Sequence, residues 1–304
     1  MRFSIWPSAN QPWGEILATA SYAEATGWDG VWIADHFMPD VDGPFPPETP
    51  TLEAGSLVAA LAAAVPRVRI GTLVYGNTYR HPAVVANMAV TTDHVSGGRF
   101  TLGIGAGWQR NEHAAYGIDF ASAGARVDRL AEAVEAIHGL LRNPRTTFKG
   151  RYYEITDALC EPKPVQDPLP ILVGGSGDRL LGVAARWADA WNTWGQPDHI
   201  AERSAALSRA CERVGRDSDA IARTAQALVF MADTDTDPTT IERQVERAPM
   251  PAIGGTVEQL RDVVAAYAQA GLDELIVPDR SLGQGTPKLE RMDRLIEEVA
   301  PAFR

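Results

Sequence analysis

Asp35-His36 follows the short apolar segment Gly30–Ala34 and is the first pair in the chain able to handle a proton. Histidine donates or accepts a proton near neutrality, and a neighbouring carboxylate can orient its ring. Adjacent side chains on an extended backbone point apart. Asp35 therefore fits a loop cap as well as it fits an orienting group, and His36 fits a local hydrogen bond as well as a proton carrier. The second feature is the run Gly97-Gly98-Arg99-Phe100-Thr101-Leu102-Gly103-Ile104-Gly105-Ala106-Gly107-Trp108. Phe100–Ile104 alternates like a buried strand. Gly105, Ala106 and Gly107 then leave its end bare, where a flat ligand can approach the main chain closely. Trp108, Glu112 and His113 follow, as the lining of a substrate pocket or as the start of a short helix. The third feature is Gly174-Gly175-Ser176-Gly177, between an apolar segment and a helix opening at Asp178. Backbone N–H groups at such a start form a nest for an anion, although glycines also make plain tight turns.

Several chemistries lack their residues. The Gly174 loop has no following GK[ST], so nucleotide hydrolysis is not implied. There is no HExxH, no HxH after the first strand and no GxSxG, which leaves metal-dependent and serine-hydrolase mechanisms without support. His81, His94 and His138 fall on helices or their ends and read as surface or packing residues. Cys160 and Cys211 have no metal or redox spacing, which fits a reduced, cytoplasmic setting. A net charge of −11 argues against nucleic acid or an anionic membrane as partner. No apolar run approaches the ~18 residues of a membrane span, and Met1 leads directly into a strand-like RFSIW rather than a signal peptide.

The elements that must hold these residues alternate along the chain. Strands are expected at Arg2–Trp6, Gly30–Ala34, Val68–Tyr75, Phe100–Gly105, Ile171–Val173, Ala190–Trp194, Ala225–Met231 and Glu274–Val277. Helices are expected at Gly14–Gly27, Leu52–Val65, Pro82–Val95, Ala125–Leu141, Asp178–Trp187, His199–Val214, Val257–Ala270 and Pro287–Val299. Met38–Pro50 and Asp233–Pro238 read as loops, Lys149–Ile155 as a hairpin or extended insertion, and Glu161–Pro170 as a stiff proline-punctuated connection. Eight strands with intervening helices predict a single α/β domain over 1–304, a (β/α)8 TIM barrel with insertions after strands 2 and 4 and near residues 146–168. The rival, an open doubly wound sheet, would carry GxGxxG after the first strand; Pro7-Ser8-Ala9-Asn10 stands there instead. On their own, Gly71–Gly76 read as ordinary barrel core. In a barrel, Asp35-His36, Gly105–Gly107 and Gly174–Gly177 all fall on the C-terminal rim, where such folds do their chemistry.

The chain resembles the luciferase-like monooxygenase superfamily, in its F420-dependent branch. The resemblance rests on ADHF at Ala34–Phe37, on Gly71 through Tyr79-Arg80-His81-Pro82-Ala83-Val84, and on SGGRFTLGIGAGWQRNEHAAYGIDF at Ser96–Phe120. It continues through EPKPVQDPLPILVGGSGDRLLGVAARWADAWN at Glu161–Asn192 and GGTVEQLRDVVAAYAQAGLDELIV at Gly254–Val277, so it covers nearly the whole chain. It implies a TIM barrel binding the deazaflavin F420, with FMN as the alternative. It further implies hydride transfer between the deazaflavin and a small organic substrate, with His36 as catalytic residue. The cofactor would contact Asp35, His36, Thr72, Leu73, Gly105, Ala106 and Gly107. A non-proline cis peptide is expected near Thr72-Leu73. The cofactor phosphate would sit on Gly174, Gly175, Ser176 and Gly177. Trp108 and Glu112 are expected in the substrate pocket, and Arg80, Arg110 and Arg179 along an exit groove for the glutamyl tail of F420. The branch that oxidises sugar phosphates has a catalytic glutamate at the position of Trp108, so that activity does not carry over. Two other readings remain, an FMN-dependent monooxygenase and a non-catalytic cofactor-binding subunit. A homodimer through an Ala-rich helix face such as Leu57–Ala64 is also expected.

Overall fold

The computed structural model describes residues 1–43, 45–233 and 238–304. Its strands are β1 (Arg2–Trp6), β2 (Gly30–Ile33), β3 (Arg69–Thr72), β4 (Tyr75–Gly76), β5 (Phe100–Gly105), β6 (Thr146–Lys149) and β7 (Glu154–Ala158). They continue as β8 (Ile171–Gly174), β9 (Ala190–Trp194), β10 (Ala222–Gln226), β11 (Leu228–Met231), β12 (Ala252–Gly255) and β13 (Glu274–Pro278). The helices are α1 (Trp13–Thr26), α2 (Ala54–Ala64), α3 (Pro82–Ser96), α4 (Arg110–Tyr116) and α5 (Ala123–Arg142). They continue as α6 (Asp178–Trp187), α7 (Pro197–Val214), α8 (Pro238–Glu246), α9 (Val257–Gln269) and α10 (Gly285–Arg294).

The sheet closes on itself. β1 pairs with β2 and with β13, and the ring continues β2-β3-β5-β8-β9-β10-β13, with every pairing parallel. This is the expected TIM barrel. Both faces of each strand are covered, as a parallel sheet requires. Phe3, Ile5, Val31, Ile33, Phe100, Leu102, Ile104, Ile171, Val173, Leu275 and Val277 pack outward in the layer shared with the helices. Their neighbours on the other face include Trp32, Leu172, Ala190 and Ile276, which form the lumen core with Leu73. The Trp32 ring lies across Gly71, where an added Cβ would come within 2.3 Å of it.

The lumen is sealed at its N-terminal end by a polar cluster. Glu274, wholly buried, accepts from Ser4 Oγ (2.6 Å), Trp32 Nε1 (2.8 Å) and Arg69 Nη2 (2.8 Å), and pairs with Arg2 at 3.3 Å. Burial opposes ionisation, but Arg69, Arg2 and Ser4 outweigh it and hold the carboxyl below its ordinary range.

Four departures from the expected elements have local causes. The third strand is interrupted at Leu73–Val74, whose peptide is cis, and resumes as β4 against β5. The seventh strand divides at Ala227: β10 stays in the barrel, while β11 leaves it and pairs with β12. β12 and α8 had no expected counterpart, and β12 is a four-residue Ala-Ile-Gly-Gly segment without legible alternation. α4 fills part of the insertion after β5. The hairpin expected near Lys149–Ile155 is β6–β7, antiparallel, with Phe148 opposite Ile155. Of the expected loop at Asp233–Pro238, residues 234–237 lie outside the described residues, as does Pro44 of the Met38–Pro50 loop. No helix among the described residues is long and apolar enough to cross a membrane.

Candidate active site

His36 lies three residues beyond the end of β2, on the C-terminal rim. Its partner is not Asp35. The wholly buried Glu112, on α4, faces His36 Nδ1 at 3.0 Å through Oε1 and accepts the Phe37 N–H at 2.8 Å through Oε2. Tyr79 Oη donates to the same Oε1. Burial alone would raise the Glu112 pKa; His36, the Phe37 N–H and Tyr79 outweigh it and hold the carboxyl below its usual range. Burial, and after it the Glu112 carboxylate, push the Tyr79 phenol upward, so it stays protonated and donates. With a carboxylate accepting at Nδ1, the imidazole keeps its proton there. Nε2 has no protein partner among the described residues and is free to take or give a proton. The His36 side chain is 26% exposed, and the Trp108 ring stands edge-on to it at 5.4 Å between centroids. Trp108 itself is 60% exposed, as a rim residue would be.

Asp35 is committed elsewhere. It is buried, takes Arg80 through both oxygens at 2.7 and 3.0 Å, and accepts the Gly76 N–H at 2.9 Å. Burial pushes its pKa up, opposed by Arg80 and Gly76. Arg80 also pairs with Glu53, the N-cap of α2, and lies 4.9 Å over the Tyr75 ring. Asp35 therefore does not orient His36, and Arg80, expected in an anion groove, is already neutralised twice. Arg179 is likewise paired, with Asp128. Glu112, expected in the substrate pocket, instead stands behind the histidine with no exposed surface.

α4 also fastens the rim loops. His113 is buried, with Nδ1 2.6 Å from the Gln109 carbonyl and Nε2 2.7 Å from Thr78 Oγ1. Gln109 and Asn111 donate to the carbonyls of Met38 and Pro39 at 2.9 and 2.8 Å, tying the turn after β5 to the loop after β2. Phe37 packs edge-on to Tyr79 and Tyr116, at 4.8 and 5.6 Å.

The glycines of the rim divide into two groups. Gly103, Gly105 and Gly174 make room for protein: a Cβ on Gly103 would sit 1.9 Å from the Thr72 carbonyl oxygen, and one on Gly105 or Gly174 would be 2.7 or 3.1 Å from Val74 methyls. Thr72 is buried, its hydroxyl donating to the Gly103 carbonyl at 2.8 Å and accepting its N–H at 2.9 Å, so its side chain belongs to the barrel wall rather than to a cleft. Leu73, also buried, packs into the lumen core. Ala106 and Gly107 continue the turn, partly exposed, with Gly107 at φ +76°. The second group is Gly175–Gly177. Gly175, at φ +127°, donates its N–H to the Asn192 carbonyl at 2.8 Å, and a Cβ there would be 2.4 Å from Leu180; Ser176 and Gly177 are partly or fully exposed, and a Cβ on Gly177 would meet nothing within 4 Å. Gly177 is the N-cap of α6, and no side chain caps that helix. Its first N–H groups are thus open to an anion. This donor set fits a phosphate-bearing cofactor.

A model of the luciferase-like monooxygenase family matches residues 1–241. The chain belongs to that family. It is 39% identical over 181 residues to an F420-dependent glucose-6-phosphate dehydrogenase of Kineococcus radiotolerans, a match covering 59% of this chain and 51% of the relative. The chain thus spans about half the length of that curated relative. An F420-dependent glucose-6-phosphate dehydrogenase of Microbacterium testaceum is 34% identical over 226 residues, 72% of this chain and 65% of the relative. Among solved structures, an F420-dependent secondary alcohol dehydrogenase in complex with an F420–acetone adduct superposes with a TM-score of 0.81, at 21% identity and over 100% of both chains. A long-chain alkane monooxygenase gives 0.80 at 14% identity, over 99% of this chain and 91% of that one. At such identities these two show the fold.

Proposed function

We infer that the protein is an F420-dependent oxidoreductase acting on a small organic substrate at the C-terminal mouth of the barrel, with His36 as its proton carrier. The observation that carries this reading is the His36–Glu112 pair on the same C-terminal rim as an uncapped helix start. A buried carboxylate fixes one ring nitrogen of a rim histidine, leaving the other free at an opening that also holds an anion cradle. The F420-dependent sequence relatives support deazaflavin over flavin. When bound, F420 supplies hydride donation or acceptance at C5 of its ring. The chain supplies the rest. The first N–H groups of α6, with Ser176 and Gly177, hold the cofactor phosphate; the Gly175 N–H is already given to the Asn192 carbonyl. His36 Nε2 takes the proton released by an alcohol substrate, or gives one to a reduced double bond. Glu112 keeps the proton on Nδ1 and stabilises the ring when it is doubly protonated. Trp108 shields His36 from bulk water. It also stands where the sugar-phosphate branch would have its acid, so glucose-6-phosphate oxidation is not part of this reading. A homodimer is, but the expected face Leu57–Ala64 can offer only Ala59, Ala60, Ala63 and Ala64, because Leu57, Val58, Leu61 and Ala62 are buried in the core; sedimentation velocity tests it.

The deciding experiment is a titration with F420, reduced F420 and FMN. The expected result is tighter binding of F420. A tenfold preference for FMN, about 1.4 kcal/mol, would replace this reading with an FMN-dependent monooxygenase. Tight binding without turnover, unaltered by His36→Ala, would leave a non-catalytic cofactor-binding subunit.

A further inference from the structure

Three guanidinium groups beside the glycine turn have no carboxylate partner among the described residues. Arg126 and Arg129 lie one helical turn apart on α5, on one face. Arg110 opens α4. Arg126 stacks 3.9 Å over the Phe120 ring, Nε donating to the Gly107 carbonyl (3.2 Å) and Nη1 to the Ala121 carbonyl (2.5 Å). Arg110 lies 5.6 Å from the centroid of the same ring. Arg129 donates Nε to Tyr153 Oη at 2.8 Å and lies 5.5 Å over that ring. Tyr153 follows the turn of the β6–β7 hairpin and is buried. The three are thus held by rings, carbonyls and a hydroxyl, which position a cation without neutralising it.

These three guanidinium groups lie near one another on a protein whose net charge is −11. Nearby arginines are paired: Arg80 with Asp35 and Glu53, Arg179 with Asp128, Arg203 with Asp178. Burial, and after it the proximity of Arg110, push the Arg126 pKa down. α5 packs beside α6; Arg179, in the first turn of α6, pairs with Asp128 of α5, and a Cβ on Gly124 would be 3.2 Å from its Nη1. From the open start of α6, a chain of anions leaving the cradle meets α5 next.

We propose that Arg126 and Arg129, with Arg110 across Phe120, form a subsite for the carboxylates of the oligoglutamyl tail of F420. The proposal rests on the cofactor reading above. Bidentate guanidinium–carboxylate pairing suits such a tail, and FMN, which ends at its phosphate, would leave the subsite unused.

The test compares F420 carrying its glutamates with the glutamate-free form that keeps the phosphate, by fluorescence titration of the full chain. Wild type should bind the glutamylated form on the order of tenfold more tightly. That advantage should shrink as salt rises from 0.05 to 0.5 M, roughly from 14 to 4 Å of screening length. In R110Q/R129Q the advantage should vanish, with the glutamate-free form binding as in wild type; R126K, which keeps the charge, should retain part of it. Equal affinity of the two forms for wild type, with no difference in salt dependence, overturns the subsite and leaves the cofactor reading intact. Equal weakening of both forms in R110Q/R129Q also overturns it, since the arginines would then act only on the fold. Binding of neither form, with tight FMN binding, defeats the cofactor reading instead, and the subsite with it.

Discussion

Replacing Glu112 by glutamine removes one charge and changes almost no volume, so it isolates what the carboxylate does. Oε1 receives His36 Nδ1 and Tyr79 Oη; Oε2 receives the Phe37 N–H. A glutamine can present only one oxygen. If it faces His36 and Tyr79, the amide NH2 meets the Phe37 N–H, two donors in a wholly buried place. If it faces Phe37, the NH2 meets His36 Nδ1, and the imidazole must move its proton to Nε2, losing the free lone pair. The first arrangement costs about 1–3 kcal/mol for the unpaired buried donor, and bonds to a neutral rather than a charged acceptor lose about 1 kcal/mol each, together about 3–5 kcal/mol. For a chain of this length that lowers the melting temperature by roughly 10 °C. The assay is thermal unfolding of both proteins across pH, with nitrogen NMR of the His36 ring to read its tautomer. Because the folded Glu112 pKa is depressed, its contribution is present above the ordinary carboxylate range and lost as pH falls through the lower folded value. The gap between wild type and E112Q should therefore close on acidification. A variant that melts within a degree of wild type at pH 7, with the proton still on Nδ1, would refute the account of Glu112.

Arg80→Ala should destabilise by about 3–5 kcal/mol in urea denaturation, because it strands the buried Asp35 carboxylate; Arg80→Lys should recover only part, since the pairing is two-pronged. Gly105→Ala should cost about 1–3 kcal/mol through overpacking on Val74 and be relieved by Val74→Ala in a double-mutant cycle, whereas Gly103→Ala, which strikes the Thr72 main chain, should gain nothing from the same partner. Gly177→Asp meets open space at φ −69° and should leave the melting temperature unchanged or higher, yet weaken cofactor binding at least tenfold, about 1.4 kcal/mol, by placing a carboxylate in the anion cradle. Retained cofactor affinity in Gly177→Asp would remove the phosphate from the start of α6.

The barrel was legible because alternation and helix periodicity are local signals. Gly30–Ile33, Phe100–Gly105 and Asp178–Trp187 fell within a residue of their expected bounds, and αL glycines such as Gly27 closed helices as glycine does. β12 was missed because four residues between Pro251 and Thr256, two of them glycine, carry no period. The site was legible in part. His36, the turn at Gly107 and the cradle at Gly177 could be located from strand ends. Glu112 as partner of His36, separated from it by 76 residues, could not, because ring-to-carboxylate pairing between loops leaves no mark in one sequence. The same holds for Arg80, whose charge suggested an outside anion while Asp35 and Glu53 waited inside. Gly105 carried a real signal, and its missing side chain admits Val74, a close approach that strand alternation alone does not reveal.

The seal at the lower end of the barrel, where Arg2, Arg69, Ser4 and Trp32 converge on Glu274, makes the lumen a cul-de-sac. With Trp32, Leu73, Leu172, Ala190 and Ile276 packed above that seal, a ligand that reaches His36 comes from the C-terminal mouth and departs the same way.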